Sequence, residues 1–289
     1  MIKSSFWHLA TSIACLLQVA TVAAQSKPDT TADKSDKATA VKEEAVPEPS
    51  RLFEPREYAD ADGNVLRYRL LKPVDYDPTE KYPLVIFLHG AGERGDDNTA
   101  QLKHGMRDFC LPERREEFPC YVLAPQCPTD EKWADVDWRL DHVELPEKIS
   151  APAQLVMELV DLMLEKAAID KNRIYVTGLS MGGYGSWDLI YRRPNFFAAA
   201  LPICGGADPA TAEAIQHVPI WCFHGAKDRA VKVEFSRDII AALEKAGAEP
   251  KYTEYPEAGH DSWTATYANQ EIYDWMFSQR LTRQSRSKE

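Results

Sequence analysis

The chain has 289 residues, with 34 Lys and Arg against 45 Asp and Glu, for a formal net charge of −11. That acidic balance argues against nucleic acid and against anionic membrane surfaces as partners, since both select for clustered positive charge. With hydrophobic residues at 44%, the roughly 230 residues left once two terminal segments are set aside make one domain able to bury a sizeable core.

Lys3 is followed by a mostly apolar stretch from Phe6 to Ala24, interrupted by His8 and Gln18 and ending in Val22-Ala23-Ala24. This is the pattern of a secretory signal peptide over residues 1–24, and the apolar core is too short and polar-broken for a spanning helix. Residues 25–50 carry Lys, Asp, Thr, Ala, Glu and Pro without apolar periodicity, so a disordered linker is expected there. A folded domain is expected over 51–282 and a flexible tail over 283–289. The expected location is therefore secreted or periplasmic. In such a compartment a bridge within Cys110, Cys120 and Cys127 becomes an option, although five cysteines after Cys15 is an odd number. Cys204 and Cys222 lie inside apolar runs and read as buried, inert thiols.

In chain order, Leu66–Leu71 follows the Asp62-Gly63-Asn64 turn and reads as a half-exposed strand. Pro83–Leu88 is a continuous apolar run ending at His89-Gly90, which suits a strand buried on both faces of a parallel sheet. Similar runs follow at Tyr121–Ala124, Arg173–Thr177, Ala198–Cys204 and Ile220–Phe223. Between them, Leu155, Val156, Leu159, Val160, Met163 and Ala167 recur at helical spacing, as do Phe235, Ile239, Ile240 and Leu243. The alternation predicts an α/β fold, a mostly parallel central sheet with helices on both faces. Residues 93–118 and 128–150 read as loops.

The strand at Arg173–Thr177 runs into Gly178-Leu179-Ser180-Met181-Gly182-Gly183 and then a helix-compatible stretch. This is G-x-S-x-G in the context its chemistry requires, a strand, a sharp turn and a helix. The glycines let strand and helix approach, the turn exposes the Ser180 hydroxyl, and the helix start supplies backbone N–H groups.

A serine hydroxyl is a poor nucleophile near neutral pH and needs a base, usually His, oriented by a carboxylate. Behind a serine of this kind the acid and then the base follow in chain order, each past a strand end. Asp228 stands just beyond Ile220–Phe223, and His260 lies on the loop after Tyr252–Tyr255. His260 is the one histidine after Asp228. Asp208, after the strand ending at Cys204, is the rival acid, while Asp261 is too close in sequence to reach its neighbour's ring. His89 and His224 precede Gly at strand ends and read as structural or oxyanion-loop residues. Because the base must be neutral to accept a proton, activity is expected to fall on acidification.

Acyl transfer passes through an oxyanion that backbone donors stabilise. The Met181 amide is one candidate donor; the other comes from His89-Gly90-Ala91-Gly92, where Ala91 is chosen over Gly92. As a phosphate cradle that loop lacks the required lysine and glycine spacing. Trp133 and Trp138 in the long loop and Trp263 beside the base could contact a planar acyl or sugar group, Trp138 and Trp263 being the candidate substrate residues; packing of the loop is the competing reading. No Cys and His show zinc-ligand spacing, and no metal, cofactor or protein partner is expected.

Lys81 through Gly95 with Asn98 and Gln101, Gly178 through Leu189, and Leu201-Pro202-Ile203-Cys204-Gly205-Gly206 together resemble the α/β-hydrolase superfamily. The similarity is to its secreted esterases of the polyhydroxybutyrate-depolymerase, feruloyl-esterase and acetylxylan-esterase type and to related "predicted peptidases", over roughly residues 52–280. The resemblance implies the α/β-hydrolase fold and a Ser180, Asp228, His260 triad. The expected activity is hydrolysis of carboxylic esters, with feruloyl or acetyl esters of plant polysaccharide among the candidates. A serine peptidase and a non-catalytic binding protein on the same fold are the alternatives.

Overall fold

The computed structural model describes residues 46–281. The expected signal peptide (1–24), the linker as far as residue 45 and the tail (283–289) lie outside the described residues. Eight strands form one sheet: β1 (Glu54–Ala59), β2 (Val65–Leu71), β3 (Tyr82–Leu88), β4 (Tyr121–Pro125), β5 (Ile169–Leu179), β6 (Ala199–Ile203), β7 (Trp221–Gly225) and β8 (Lys251–Tyr255). Their order across the sheet is β1-β2-β4-β3-β5-β6-β7-β8, with β2 antiparallel to β1 and β4 and the remaining pairs parallel.

The helices among the described residues are α1 (Pro49–Leu52), α2 (Met106–Phe109), α3 (Pro112–Glu117), α4 (Ala151–Lys166), α5 (Met181–Arg192), α6 (Ala212–Ile215), α7 (Glu234–Lys245), α8 (Trp263–Ala268) and α9 (Gln270–Ser278). The start of α4 is chemically explicit: Ser150 Oγ accepts the Ala153 N–H at 3.3 Å, and Pro152 sits in the first turn, where a missing N–H costs nothing. No helix among the described residues is long and apolar enough to cross a membrane.

Strand β3 shows why a continuous apolar run was needed. Leu84, Ile86 and Leu88 enter a core layer shared with α4, α5 and α7, while Val85 and Phe87 enter a second layer with α2, α8 and α9. Both faces are covered, so every residue of the strand is buried. By contrast, β1 is exposed along nearly its whole length and is held by its ladder to β2. Its sequence Glu-Pro-Arg-Glu-Tyr-Ala has no apolar face to announce it, and the sequence reading passed over it.

Three further expectations change. Residues assigned to the linker as far as 50 are part of the folded path, since α1 begins at Pro49 and Val46 packs against the second core layer. The supposed loop 93–118 contains α2 and α3, whereas 128–150 is free of regular elements. The option of a bridge among Cys110, Cys120 and Cys127 is not realised. All five described cysteines are free and buried, and Cys127 lies in the opposite core layer from Cys110 and Cys120. Burial pushes the Cys110 thiol up to about 11 and those of Cys120 and Cys127 up to about 12, leaving them protonated.

At the carboxyl edge of the sheet the packing is tightest where α5 meets β3 and β5. A Cβ on Gly182 would collide with the Leu88 carbonyl, and one on Gly178 with the Gly182 carbonyl. Gly182→Ala is therefore expected to lower the unfolding free energy by about 2–3 kcal/mol, because backbone cannot move aside as a side-chain tip can. Urea unfolding checks this; a loss under about 1 kcal/mol would contradict the close approach.

Candidate active site

Parallel strands bring their carboxyl ends to one edge, so residues remote in sequence meet there. Leu88 pairs with Gly178, Leu179 with Ile203, and Ile203 with Phe223, which aligns the ends of β3, β5, β6 and β7. The next residues are His89 to Gly92 after β3, Ser180 after β5 and Asp228 after β7, with His260 past β8.

Ser180 occupies φ 55°, ψ −116°, a region that a residue with a Cβ rarely adopts. The surrounding ladder holds it there: its N–H donates to the Ile203 carbonyl at 2.9 Å, and its own carbonyl accepts the Tyr184 N–H at 3.1 Å. The strain projects Oγ out of the turn and into a cavity.

His260 Nε2 lies 2.9 Å from Ser180 Oγ, and His260 Nδ1 lies 2.7 Å from Asp228 Oδ2. The Asp228 side chain is fully buried while that of His260 is 28% exposed, so the ring forms the boundary between protein and cavity. Asp228 Oδ1 accepts the N–H groups of Ala230 at 2.8 Å and Val231 at 2.9 Å. Burial alone would raise the carboxyl pKa, but the bonds from His224, His260 and these two amides outweigh it and hold the group well below the usual carboxylate range. The rival, Asp208, is spent elsewhere: Oδ1 accepts Ala210 N–H at 2.9 Å, and Oδ2 accepts Leu145 N–H at 3.3 Å.

Ala91 opens a 3-10 turn (Ala91–Glu93) and Met181 opens α5, so neither amide has an acceptor inside its own helix. Both residues line the cavity with Ser180 and His260. The Ala91 loop is braced from behind. His89 is buried, its Nδ1 is 2.7 Å from the Gly90 carbonyl, and its Nε2 accepts the Cys127 N–H at 2.9 Å. That pattern assigns the neutral Nδ1–H tautomer.

The cavity, about 540 Å³, is lined by Trp138, Leu140, Tyr184, Val231 and Phe235 and also by Glu93, His104 and Trp263, the last three in contact with one another in that order. The two candidate tryptophans for the substrate, Trp138 and Trp263, both line it. Trp133 does not; it is fully buried and donates Nε1–H to the His89 carbonyl at 3.0 Å, packing the loop down. Cys204 Sγ, an Asp228 oxygen and a His260 nitrogen lie within 4.8 Å of one another. Both Asp228 oxygens already accept hydrogen bonds, so these donors serve that network rather than an open coordination site.

A family model described as phospholipase/carboxylesterase matches residues 74–272, more than half of the chain. The chain belongs to the phospholipase/carboxylesterase family. The α/β-hydrolase fold expected from the sequence is thereby established, and a solved thermostable esterase superposes with a TM-score of 0.74 at 42% identity, over 80% of this chain and 64% of that one. A protein named "Probable feruloyl esterase C" from Aspergillus niger is 24% identical over 208 residues, 70% of each chain. An "Uncharacterized secreted protein" of Arthroderma benhamiae is 24% identical over 235 residues, 68% of this chain but 24% of that protein's length. The chain thus spans less than two thirds of two of these three relatives.

Within this phospholipase/carboxylesterase framework, the sequence does not disclose what grips Asp228. His224 is fully buried, with Nε2 at 3.2 Å from Asp228 Oδ2 and 3.1 Å from the Val231 carbonyl, and Nδ1 at 2.7 Å from Ser236 Oγ. Its ring therefore carries the proton on Nε2 and shares it with the same oxygen that meets His260. A histidine inside an otherwise apolar run, four residues before Asp228, was the available signal.

The buried His89 makes stability depend on pH. Burial lowers its pKa from 6.5 to about 4, so between those values the unfolded chain binds the extra proton. Its contribution is complete above pH 6.5 and is lost as pH falls toward 4, amounting to about 3 kcal/mol. Unfolding free energies measured at pH 7 and pH 4 should fall less in His89→Asn than in the parent, by about 2–3 kcal/mol; equal declines would contradict the neutral buried ring.

Proposed function

We propose that the chain is an exported serine carboxylesterase that uses Ser180, His260 and Asp228 as nucleophile, base and orienting acid. The observation that carries this reading is the unbroken line from Asp228 Oδ2 to His260 Nδ1 at 2.7 Å and from His260 Nε2 to Ser180 Oγ at 2.9 Å, ending in a cavity. Membership of the phospholipase/carboxylesterase family supports ester hydrolysis. The signal-like N-terminus supports export to the periplasm or medium, with the described residues 46–281 forming the catalytic domain.

In this mechanism Ser180 Oγ bonds to the acyl carbon as its proton passes to His260 Nε2, and the carbonyl electron pair moves onto oxygen. The Ala91 and Met181 amides donate to that oxygen, contributing about 3–4 kcal/mol each where such donors are preorganised. Collapse breaks the ester C–O bond, and the departing alkoxide takes the proton from His260. Water then gives a proton to His260 as it attacks the acyl-enzyme; the second collapse releases the acid and returns the proton to Ser180. Asp228, charged and buried throughout, stabilises the imidazolium and fixes its tautomer.

The leaving oxygen must face His260 Nε2 to receive its proton. Because Trp263 packs against the His260 ring at 5.3 Å and leads on to His104 and Glu93, we assign the alcohol to these three residues and the acyl group to the other, mostly apolar lining residues Trp138, Leu140, Tyr184, Val231 and Phe235. The second set suits a butyryl or feruloyl chain. The complete hydrogen-bonded line weighs against a non-catalytic role, and no observation favours peptide over ester.

The parent is expected to hydrolyse p-nitrophenyl butyrate and to take up one fluorophosphonate per chain on Ser180. Ser180→Ala should lose both, with kcat reduced on the order of 10⁴–10⁶-fold. Labelling at another residue, or a Ser180→Ala variant as active as the parent, would refute the proposal. Asp228→Asn should keep the fold and cut kcat on the order of 10⁴-fold; kinetics within tenfold of the parent would remove the carboxylate from its role.

A further inference from the structure

Glu93 is a carboxylate in an unexpected place. Its side chain is only 6% exposed, yet it accepts no hydrogen bond among the described residues. The basic group facing it is His104, with Nε2 at 3.5 Å, longer than an ordinary N–H···O bond. The adjacent guanidinium of Arg94 turns away to the Ala91 and Glu131 carbonyls. Neither carboxylate oxygen is among the fully enclosed, unpartnered polar atoms, so the group opens on the cavity it lines, where water or a ligand must supply its donors.

Glu93 ends the same 3-10 turn that begins with Ala91. The carboxylate lines the cavity together with His104 and Trp263. Trp263 meets His260 edge to face at a centroid separation of 5.3 Å and His104 at 5.3 Å, so the three rings form one continuous wall leading from the base to Glu93.

We propose that Glu93, assisted by His104, is the specificity residue for the alcohol half of the ester and accepts a hydrogen bond from a second hydroxyl of that alcohol. The favoured substrates are then esters of polyols or other poly-hydroxylated alcohols, rather than of simple alkanols. This inference rests on the proposed esterase mechanism, because there the alcohol is assigned to Trp263, His104 and Glu93. A hydroxyl supplies the donor the buried carboxylate lacks, and Trp263 offers an apolar ring to the C–H face of the same molecule. A cationic alcohol would also satisfy Glu93, but Arg229 and Lys232 line the same cavity and disfavour a third positive charge.

The test is a matched set of butyrate esters: 1-monobutyrin, propyl butyrate and butyrylcholine, with p-nitrophenyl butyrate as the reference for the chemistry itself. For the parent, kcat/KM on 1-monobutyrin should exceed that on propyl butyrate by about tenfold or more, since a site built around a hydroxyl penalises its absence. In Glu93→Gln that ratio should fall about tenfold, mainly through KM, and His104→Ala should lower it in the same direction. A parent with no preference, or a ratio unchanged in Glu93→Gln, overturns the inference; so does a parent preference for butyrylcholine that Glu93→Gln removes. A parent inactive on every ester would instead defeat the esterase reading. The parent alone supplies a further check that needs no variant: acyl transfer from p-nitrophenyl butyrate to glycerol should outrun transfer to 1-propanol at equal concentration by about tenfold. Equal partition would count against the alcohol site.

Discussion

The contact on which the molecule's chemistry depends is made by an atom that is missing. With no Cβ at Gly182, the first turn of α5 lies directly against the Leu88 carbonyl at the end of β3. That approach holds Ser180 at φ 55° and brings the loop after β3 beside the loop after β5. Serine in such a conformation is destabilised on the order of 1–3 kcal/mol, which the packed ladder around it offsets. Exposure of the hydroxyl and the nearness of the Ala91 and Met181 amides are two consequences of the same packing.

Electrostatics at the site follow a similar economy of parts. One fully buried carboxylate, Asp228, is stabilised by His224, His260 and two backbone amides, and these bonds keep it charged against the desolvation that would neutralise it. His224 is tied in turn through Ser236 to the floor of the sheet, where Cys222 donates weakly to the same hydroxyl at 3.4 Å. Asp228 is thus fixed from the protein side and meets His260 only through Oδ2. Glu93 is the opposite case, buried without such donors and open to the cavity, which is why its natural partner is sought in the substrate.

Much of this was legible in the sequence because burial on both faces writes itself as an uninterrupted apolar run. Strand β3 and the strands ending at Thr177, Cys204 and Phe223 were located that way, and the order of Ser180, Asp228 and His260 followed from strand ends. Strand β1 was not legible, since a polar edge strand is held by main-chain bonds that carry no side-chain signature. The two C-terminal helices were missed because Asn269 caps a new helix, its Oδ1 accepting the Glu271 N–H at 3.0 Å, and breaks the apolar spacing between Tyr267 and Ile272. Glu93 is not singled out by the sequence, and His224 reads there only as a structural or oxyanion-loop residue, because what distinguishes both is burial, and sequence alone does not give burial of a polar residue.

The central claim is that Ser180 and His260 work as one unit. The most direct measurement is the residual kcat of Ser180→Ala, His260→Ala and the double variant on one ester, with unfolding curves to verify that each is folded. Residues acting as a unit lose function together, so all three variants should fall to the same residual rate, within about threefold. Losses that multiply in the double variant would mean that the two side chains act independently and would contradict the account.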